Sequence, residues 1–565
     1  MTAQAGGAPS AARGTISALS RIYGFGTVYA KTLRDSRLAF IIMAGLLGSF
    51  LLAGAAAFGE AYSTPASRAD LANLVRNLPT ALAGIYGSPF PVRVETLGGS
   101  LSWKTGGTLA LMAGLWSVLA LSGTLAVEAR RGSLEFVAVT PLGSRRIAVE
   151  KLAAHLTVMG LLVMVVALTA WIGGALFHTL PGDEIPPAAA IGYGLWVGLT
   201  GLASGAVAFA LAPLLGRAAS AGIAGAILVG GYMLNGYQAS VPAFAGLANL
   251  TWFGWTVRHS PLAGEYDWVS LVPVALVAVA LFVVGVEAFA RRDLGTTTRI
   301  PWPGFPSATL GLSGPFGRSL GERLPLALAW GIGVGLYGFV MAAASRSFAE
   351  QLDKLSPSTM RLIQTIFPNF DLTSTGAFLQ LAFVLFAFIV VGFAAATLVS
   401  GWASDEGSGR LELLLTTPLA RARWAVAGGA GVMAAIVIFT LVVALGVGLG
   451  ATVVGGDAET PVLGTLVLGL YAAALAGIGL AVGGLFRTSI AAEAVAAVVI
   501  VTFLIDLIAP ALKWPAWVHQ LALTAHLGQP MIGIWDWPGM AACVAIAGGG
   551  IALSGWGINR RDVGG

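Results

Sequence analysis

The stretch EARRGSLEFVAVTPLGSRR, residues 128–146, recurs as DEGSGRLELLLTTPLARAR, residues 405–423. Each copy is a short charged segment between two long apolar runs, in a chain with 57% hydrophobic and only 10% charged residues. Soluble domains carry about 25% charged residues. The composition therefore predicts an integral membrane protein, and the repeated segment is a short loop between spans.

The apolar runs are long enough to cross about 30 Å of hydrocarbon, which takes about 20 helical residues. They show no two-residue alternation, so helices are favoured over a lipid-facing barrel. The predicted spans are 38–58, 106–127, 152–177, 190–215, 218–236, 269–290, 324–345, 379–402, 424–454, 462–485, 489–510 and 537–557. We predict an all-α integral membrane protein with about twelve transmembrane helices.

An internal repeat organises these spans. A shift of about 277 residues superimposes the two loops, and later landmarks recur at slightly different offsets. The matched pairs are Gly132 and Gly409, Leu134 and Leu411, Glu135 and Glu412, Thr140 and Thr417, Pro141 and Pro418, Thr96 and Thr373, Gly99 and Gly376, Arg217 and Arg487, YDW 266–268 and WDW 535–537, and ARRDLG 290–295 and NRRDVG 559–564. Since each half has an even number of spans, we expect two six-helix halves related by a pseudo-two-fold axis along the membrane normal.

The predicted domains follow from this repeat. Residues 1–37 form an N-terminal tail and an interfacial helix, and 38–292 form the first six-helix half. Residues 293–323 form a cytoplasmic linker and a second interfacial helix, and 324–565 form the second half. Most lysines and arginines fall on one side of this arrangement, which predicts that both termini are cytoplasmic.

The charge and the cysteine count exclude some classes of function. The net charge of +5 is what loops facing anionic lipid attract, so we infer no nucleic-acid partner. The single Cys543 lies inside the last apolar run, so we expect no intrachain disulfide and no metal site.

The repeated loop has an apolar face at helical spacing. Leu411, Leu414 and Leu415 share one face, as Leu134, Val137 and Ala138 do in the first copy. The Thr-Pro pair stops the helix after about two turns, because the residue before a proline disfavours the α conformation. Such a face either docks on a partner or lies on the membrane or on neighbouring helix ends. Recurrence in both halves favours two similar partner subunits.

The loop pattern is an acidic residue, Gly, a Leu-Glu pair, an apolar pair and Thr-Pro. It resembles the loop between the second and third spans of ABC exporter permeases, specifically the double-length exporters of polyketide antibiotics. The resemblance covers nearly the whole chain, including WPAWVHQLALTAHLGQP at 514–530. It implies a coupling helix that sits in a cleft of a separately encoded ABC ATPase, present in two copies.

The resemblance assigns this coupling role to matching residues of both loops. They are Glu128, Gly132, Leu134, Glu135, Thr140 and Pro141, and Asp405, Gly409, Leu411, Glu412, Thr417 and Pro418. Glu135 and Glu412 could instead pair with arginines of their own loops. EFVAV in the first loop stands where the second has ELLLT, which leaves open whether the two docking sites are equivalent.

The chain lacks the motifs of a nucleotide site or a catalytic centre. No G-x-x-x-x-G-K-[ST] loop occurs, and the glycines of GIGVGLYG, residues 331–338, lie inside a span, where close helix packing is the better interpretation. The five histidines show no metal-binding spacing. We expect no catalytic residue, metal or cofactor in this chain, with ATP and Mg²⁺ bound by the partner subunits.

Acidic residues within the spans are few, which argues against an ion-coupled carrier. They are Glu287, Glu493 and Asp506. A path between the halves would then suit an apolar or amphipathic molecule. Its candidate lining residues, for each of which packing is the alternative role, are Trp116, Tyr232, Asn235, Phe383 and Phe386.

Together these features predict the permease subunit of an ATP-driven exporter in a bacterial plasma (inner) membrane. Its expected cargo is a hydrophobic or amphipathic small molecule, which the resemblance implies is a drug or a polyketide-like antibiotic, and membrane lipid surrounds the protein. The alternatives are an ABC exporter of lipid or of a cell-envelope glycoconjugate, and an ATP-independent carrier or membrane enzyme.

Overall fold

The computed structural model describes residues 27–76, 80–124, 143–240, 242–291, 314–352, 374–407, 409–511 and 514–562. Helices account for nearly all regular structure in these ranges, and one pair of two-residue strands accompanies them. The prediction of an all-α fold is confirmed.

Nineteen α-helices lie in the described part of the chain. They are α1 (Val28–Ala61), α2 (Pro65–Arg76), α3 (Thr80–Gly84), α4 (Leu97–Thr124), α5 (Ser144–Phe177), α6 (Pro187–Leu215), α7 (Arg217–Tyr237), α8 (Pro242–Ala248), α9 (Trp252–Trp255), α10 (Leu271–Ala290), α11 (Pro315–Leu352), α12 (Thr375–Ala382), α13 (Val384–Gly407), α14 (Arg410–Leu415), α15 (Arg421–Val453), α16 (Glu459–Leu485), α17 (Ala491–Ala511), α18 (Ala516–His519) and α19 (Trp537–Arg560). The strands are β1 (Gly528–Gln529) and β2 (Ile534–Trp535).

Twelve of the described helices are long and apolar enough to cross a membrane. Each overlaps one predicted span, so the predicted number of transmembrane helices is confirmed. These helices are α1, α4, α5, α6, α7, α10, α11, α13, α15, α16, α17 and α19. Such long helices form because a helix satisfies its own backbone hydrogen bonds, which lipid cannot do.

The basic segments before the first span of each half are not separate helices where the structure describes them. Residues 28–37 are the first turns of α1, and residues 316–323 are the first turns of α11. No proline interrupts α1, so its hydrogen bonding continues from the basic turns into the apolar ones. In α11, Pro325 lies inside the helix without ending it.

The chain divides into two compact units that do not follow the two sequence halves. Unit 1 comprises Met1–Leu52, Leu97–Tyr232 and Asn249–Ile300, and unit 2 comprises Ala53–Thr96, Met233–Ala248 and Pro301–Gly565. In unit 1, α6 packs against α4, α5 and α10. In unit 2, α11 packs along α15, and α16 packs along α19.

Part of the glycine pattern of α11 mediates this close packing. A Cβ atom on Gly446 of α15 would lie only 2.2 Å from the carbonyl oxygen of Gly335, and one on Gly338 would lie 2.6 Å from Val447. Gly333, by contrast, has no atom within 4 Å of such a position. GIGVGLYG contains a G-x-G-x-x-G pattern formed by Gly333, Gly335 and Gly338. Two of these three glycines lie at a helix contact, as the sequence predicts.

The YDW landmark belongs to a small hairpin in unit 1. Ser260 and Glu265 exchange two backbone hydrogen bonds of 3.0 and 3.2 Å, and Gly264 makes the turn with φ of +83°. The Oδ1 atom of Asp267 then accepts a bond from the amide of Ser270, just before α10 begins.

Unit 2 contains a hairpin of the same construction around the WDW landmark. Gln529 pairs with Ile534, and Gly533 makes the turn with φ of +78°. Asp536 accepts a bond from the amide of Gly539 at the start of α19. The hairpins share the turn, the strand pairing and an aspartate that accepts from the amide three residues on, so the sequence repeat extends to backbone conformation.

One glycine packs against each hairpin. The two contacts change the predicted match between glycines of the sequence repeat. A Cβ atom on Gly98 would lie 2.0 Å from the carbonyl oxygen of Leu262, and one on Gly376 would lie 2.2 Å from that of Met531. Gly98, not Gly99, is therefore the counterpart of Gly376. The proposed match of Thr96 with Thr373 involves a residue outside the described ranges.

Candidate functional site

The second copy of the repeated loop forms the short helix α14. Gly409 precedes it with φ of +70°, a conformation that glycine adopts without steric cost. At the other end, the hydroxyl groups of Thr416 and Thr417 donate to the carbonyl oxygens of Leu413 and Leu414, at 2.7 and 2.5 Å. The helix has six residues and ends before Pro418, as predicted.

The apolar face of α14 packs into its own half of the chain. Leu411 is 1% exposed, and Leu414 and Leu415 are half-buried against the core of unit 2. Leu413 points the other way and is 72% exposed. The interpretation that this face lies on neighbouring helix ends therefore describes the three leucines, and the surface left for a partner is a different one.

That outward surface combines one apolar side chain with polar ones. It consists of Arg410, Glu412, Leu413, Thr416, Thr417 and Pro418, all of which are exposed. Among the described residues no ion pair includes Glu412, so pairing with an arginine of its own loop does not occur there. The α14 surface, as we call this set, is a small patch with both charge signs and one leucine.

Asp405 anchors the last turn of α13, just before α14. Its Oδ1 atom forms an ion pair with Arg318 of α11 at 3.1 Å, and its Oδ2 atom accepts from the indole of Trp424 of α15 at 3.4 Å. Arg318 also pairs with Glu322, one turn along α11. Trp424 stacks on Trp402 with 5.3 Å between ring centroids. These contacts join three helix ends beneath α14.

Glu406, the residue after Asp405, also holds the end of α13 in place. Its two carboxylate oxygens receive two 2.6 Å hydrogen bonds from Arg561, which follows α19, and a third bond from the Thr488 hydroxyl. The Nε atom of Arg561 also donates to the carbonyl oxygen of Gly484. Paired planar groups of this kind fix orientation as well as distance. We call Asp405, Glu406, Arg318 and Arg561 the α13 clamp.

A cavity of about 180 Å³ lies under α14 within unit 2. Leu414 and Leu419 face it from the loop, and Arg323 faces it from α11. Arg323 is buried and donates to the carbonyl and hydroxyl oxygens of Ser319. The cavity therefore lies between part of α14 and the helix ends, while Leu411 packs into the core and the clamp holds the end of α13 that precedes α14.

The first copy of the loop falls outside the described residues. Its predicted coupling residues are Glu128, Gly132, Leu134, Glu135, Thr140 and Pro141. Their role stays a prediction.

The structure does not gather the predicted path residues into one lining within either unit. Tyr232 is buried in unit 1 against Phe253, and Trp116 packs on His155 in the same unit. In unit 2, Asn235 donates to the carbonyl oxygen of Gly87 at 2.8 Å, and Phe383 is buried against Tyr337. Phe386 is half-buried in α13. These interactions are ring packing and one hydrogen bond, and a path along these residues stays a prediction.

Comparison with known proteins identifies the family. Residues 312–558 match the family model described as the multidrug efflux system permease Rv1217c, C-terminal domain. The multidrug efflux system permease protein Rv1217c of Mycobacterium tuberculosis is 30% identical over 517 residues, which cover 89% of this chain and 88% of that protein. The chain belongs to this permease family. The match and the twelve apolar helices make it a multi-pass membrane protein.

Two titratable residues of the permease's membrane-spanning helices have side-chain partners. Glu287 pairs with Arg145 at 2.6 Å, and the ring of His155 shares a 2.9 Å hydrogen bond with Ser117. Within the described residues, no group of three histidine, cysteine, aspartate or glutamate side chains is placed to bind a metal ion. In the described part of the chain, the acidic residues and histidines of the spans are therefore not gathered into a metal-binding cluster.

Sequence reasoning missed three members of the α13 clamp. Arg561 lies in the repeated NRRD landmark, and Glu406 adjoins the predicted Asp405, so the sequence contained a signal for both. Arg318 lies in the basic segment for which the sequence predicts only an interfacial helix. Their partnership is visible only in the structure, because Arg561 and Glu406 are 155 residues apart.

Proposed function

We propose that this permease is the membrane subunit of an ATP-driven exporter of hydrophobic or amphipathic compounds. Two copies of a separately encoded ABC ATPase would bind ATP and Mg²⁺, and this chain would catalyse no reaction. The membrane would be a bacterial plasma membrane, with both termini in the cytoplasm. Family membership with a multidrug efflux system permease supports the class of function, and the loop pattern supports the ATPase partner.

The proposed coupling role rests on two features together. The α14 surface is exposed, and the α13 clamp holds the end of the helix that precedes it. A partner that contacts Arg410, Glu412 and Leu413 would push on a helix joined to α13 through a short turn. The α13 clamp links the end of α13 to α11 through Arg318 and to α19 through Arg561. Displacement of α14 would therefore move several span ends together, as alternating access requires.

The halves would couple differently. Glu128 stands at the position of Asp405 when the loops are superimposed, but Ala129 stands at the position of Glu406. The first loop thus lacks the carboxylate that receives Arg561 in the second. We propose that the Glu406–Arg561 anchor contributes to coupling in the second half.

Copurification with the ATPase tests this proposal. Leu413→Asp places a charge on the α14 surface, which is exposed, so folding of the permease should be preserved. We expect recovery of the ATPase with the permease to fall, and Glu412→Ala to reduce the stimulation of ATP hydrolysis by exported compounds. The matched control is Glu350→Ala, which removes an exposed glutamate near the C-terminal end of α11, the end away from Arg318.

Two results would overturn the proposal. One is that no ATPase copurifies with the native permease from its own host. The other is that Leu413→Asp and Glu412→Ala retain full recovery of the ATPase and full compound-stimulated hydrolysis.

A further inference from the structure

Asp506 of α17 borders a small cavity in unit 2, away from α14. The cavity measures about 20 Å³, which is room for about one water-sized group. Residues of α13, α16 and α17 and of the segment after α18 surround it. They are Phe388, Ile389, Tyr471, Val499, Thr502, Phe503, Asp506 and Thr524.

The carboxylate of Asp506 is only partly satisfied. The Thr524 hydroxyl donates to its Oδ2 atom at 2.7 Å. His519 interacts with it electrostatically, but no ion pair holds Asp506 among the described residues. A carboxylate in a membrane-spanning helix is costly without a partner, and such residues are usually retained for function.

Two further polar groups on the cavity wall also lack partners. Tyr471 is 1% exposed and Thr502 is 3% exposed. In the part of the chain that the structure describes, neither hydroxyl takes part in a hydrogen bond, although most other buried threonines donate to a carbonyl oxygen of the preceding turn. Buried polar groups are normally paired, so unpaired hydroxyls beside an unpaired carboxylate oxygen indicate a missing ligand.

Aromatic rings complete the wall. Phe388 and Tyr471 pack edge to face with 5.0 Å between ring centroids, and Phe503 borders the same space. Ring faces attract cations, and the attraction strengthens where water is excluded. Carboxylate, hydroxyl oxygens and rings therefore all favour a positive charge in this cavity.

The other two acids of the spans lack such surroundings. Glu287 is neutralised by Arg145, and Glu493 is exposed near the start of α17. Asp506 is thus the span acid that combines an unpaired oxygen with an aromatic wall.

We propose that the Asp506 cavity binds the protonated primary amine of an amphipathic compound exported by this permease. This inference rests on the proposed export function and narrows its cargo. A primary ammonium group has three N–H donors, which match Oδ1 of Asp506 and the hydroxyl oxygens of Thr502 and Tyr471. The cavity volume admits that group, whereas a trimethylammonium group is larger and has no N–H to donate.

Binding to the purified full-length permease tests the inference without the ATPase. The permease is placed in phosphatidylcholine nanodiscs and titrated with n-octylamine by calorimetry, and empty nanodiscs correct for partition into lipid. We expect saturable binding that is weakened at least about tenfold by Asp506→Asn, because a charge-assisted hydrogen bond is lost. Octanol and octyltrimethylammonium should bind far more weakly.

Variants separate the site from general effects on folding. Asp506→Asn keeps the oxygen that Thr524 reaches, and Tyr471→Phe removes one hydroxyl group alone; each should weaken octylamine binding. Glu493→Gln removes another carboxylate from the same helix and should bind octylamine as the native permease does. If Asp506→Asn does not fold, Tyr471→Phe and Thr502→Val carry the test.

Three outcomes would overturn the inference. Octylamine could bind Asp506→Asn as tightly as native permease, octyltrimethylammonium could bind as tightly as octylamine, or sodium chloride alone could occupy the site and displace the amine. Failure of the export proposal has a different signature, because loss of ATPase copurification leaves the amine titration unchanged.

Discussion

Loss of the Arg561 side chain should make local opening of α14 more frequent, although Arg561 lies after α19 and is not part of α14. Arg561 gives Glu406 two of its three hydrogen bonds, both at 2.6 Å, and each side chain of the pair is 15% exposed. In Arg561→Ala, Glu406 retains only the bond from Thr488. The end of α13 would then be held mainly through Asp405, and the turn that positions α14 would open more often.

The size of the effect follows from the burial of this pair. Breaking a fully buried ion pair costs about 3–5 kcal/mol, and an exposed pair contributes about 0–1 kcal/mol. Since the pair is mostly buried and Thr488 remains, we expect about 2 kcal/mol. That corresponds to about a 30-fold increase in local opening.

Hydrogen exchange of the permease in nanodiscs measures this opening directly. Amides in residues 405–417 should exchange about 30-fold faster in Arg561→Ala than in the native chain. Arg560→Ala is the matched control, because Arg560 stacks on the Trp556 ring at 4.2 Å and loses the same charge. Adding Glu406→Gln to Arg561→Ala should restore part of the protection, because it removes the carboxylate charge that Arg561→Ala leaves without a partner. Equal exchange in Arg561→Ala and Arg560→Ala would refute the clamp.

Two further predictions concern the hairpins. Gly376→Ala should lower the thermal unfolding midpoint, because the added Cβ would lie 2.2 Å from the Met531 carbonyl oxygen. Gly548 has open space around it, so Gly548→Ala is the control and should leave the midpoint unchanged. Equal midpoints for the two variants would contradict the prediction. Burial lowers the pKa of His259, so its neutral form stabilises the first hairpin fully above about pH 6.5, and this stabilisation is lost as the pH falls. Exchange of residues 258–268, corrected for intrinsic rates, should rise at pH 5.5 relative to pH 7.5 more than that of 527–537; equal changes would contradict it.

Much of the fold is predictable because its signals are local. Span number follows from the length of apolar runs, since a bilayer of fixed thickness requires about 20 helical residues whatever the neighbouring helices do. The end of α14 follows from Pro418, which acts on the residue next to it. Helices are predicted in the basic segments before both halves, but their continuity with α1 and α11 is not, because charged residues continue a helix as readily as apolar ones do.

The candidate site was predictable only in part. Helical spacing correctly placed Leu411, Leu414 and Leu415 on one face, but spacing cannot show whether a face turns toward a partner or toward its own protein. The structure turns these leucines inward and leaves Leu413 exposed. The surface available to the proposed ATPase therefore differs from the one that the apolar pattern indicates.

The sequence by itself determined the membrane class, the twelve spans, the internal repeat and the short loop helix, because each depends on residues close together in the chain. Only the tertiary structure decided that Glu406 meets Arg561, that Gly98 is the counterpart of Gly376, and that Asp506 shares a cavity with Tyr471. These contacts join residues far apart in the chain. Ion pairing, carbonyl contact and cavity shape depend on how helices pack, which no local spacing records.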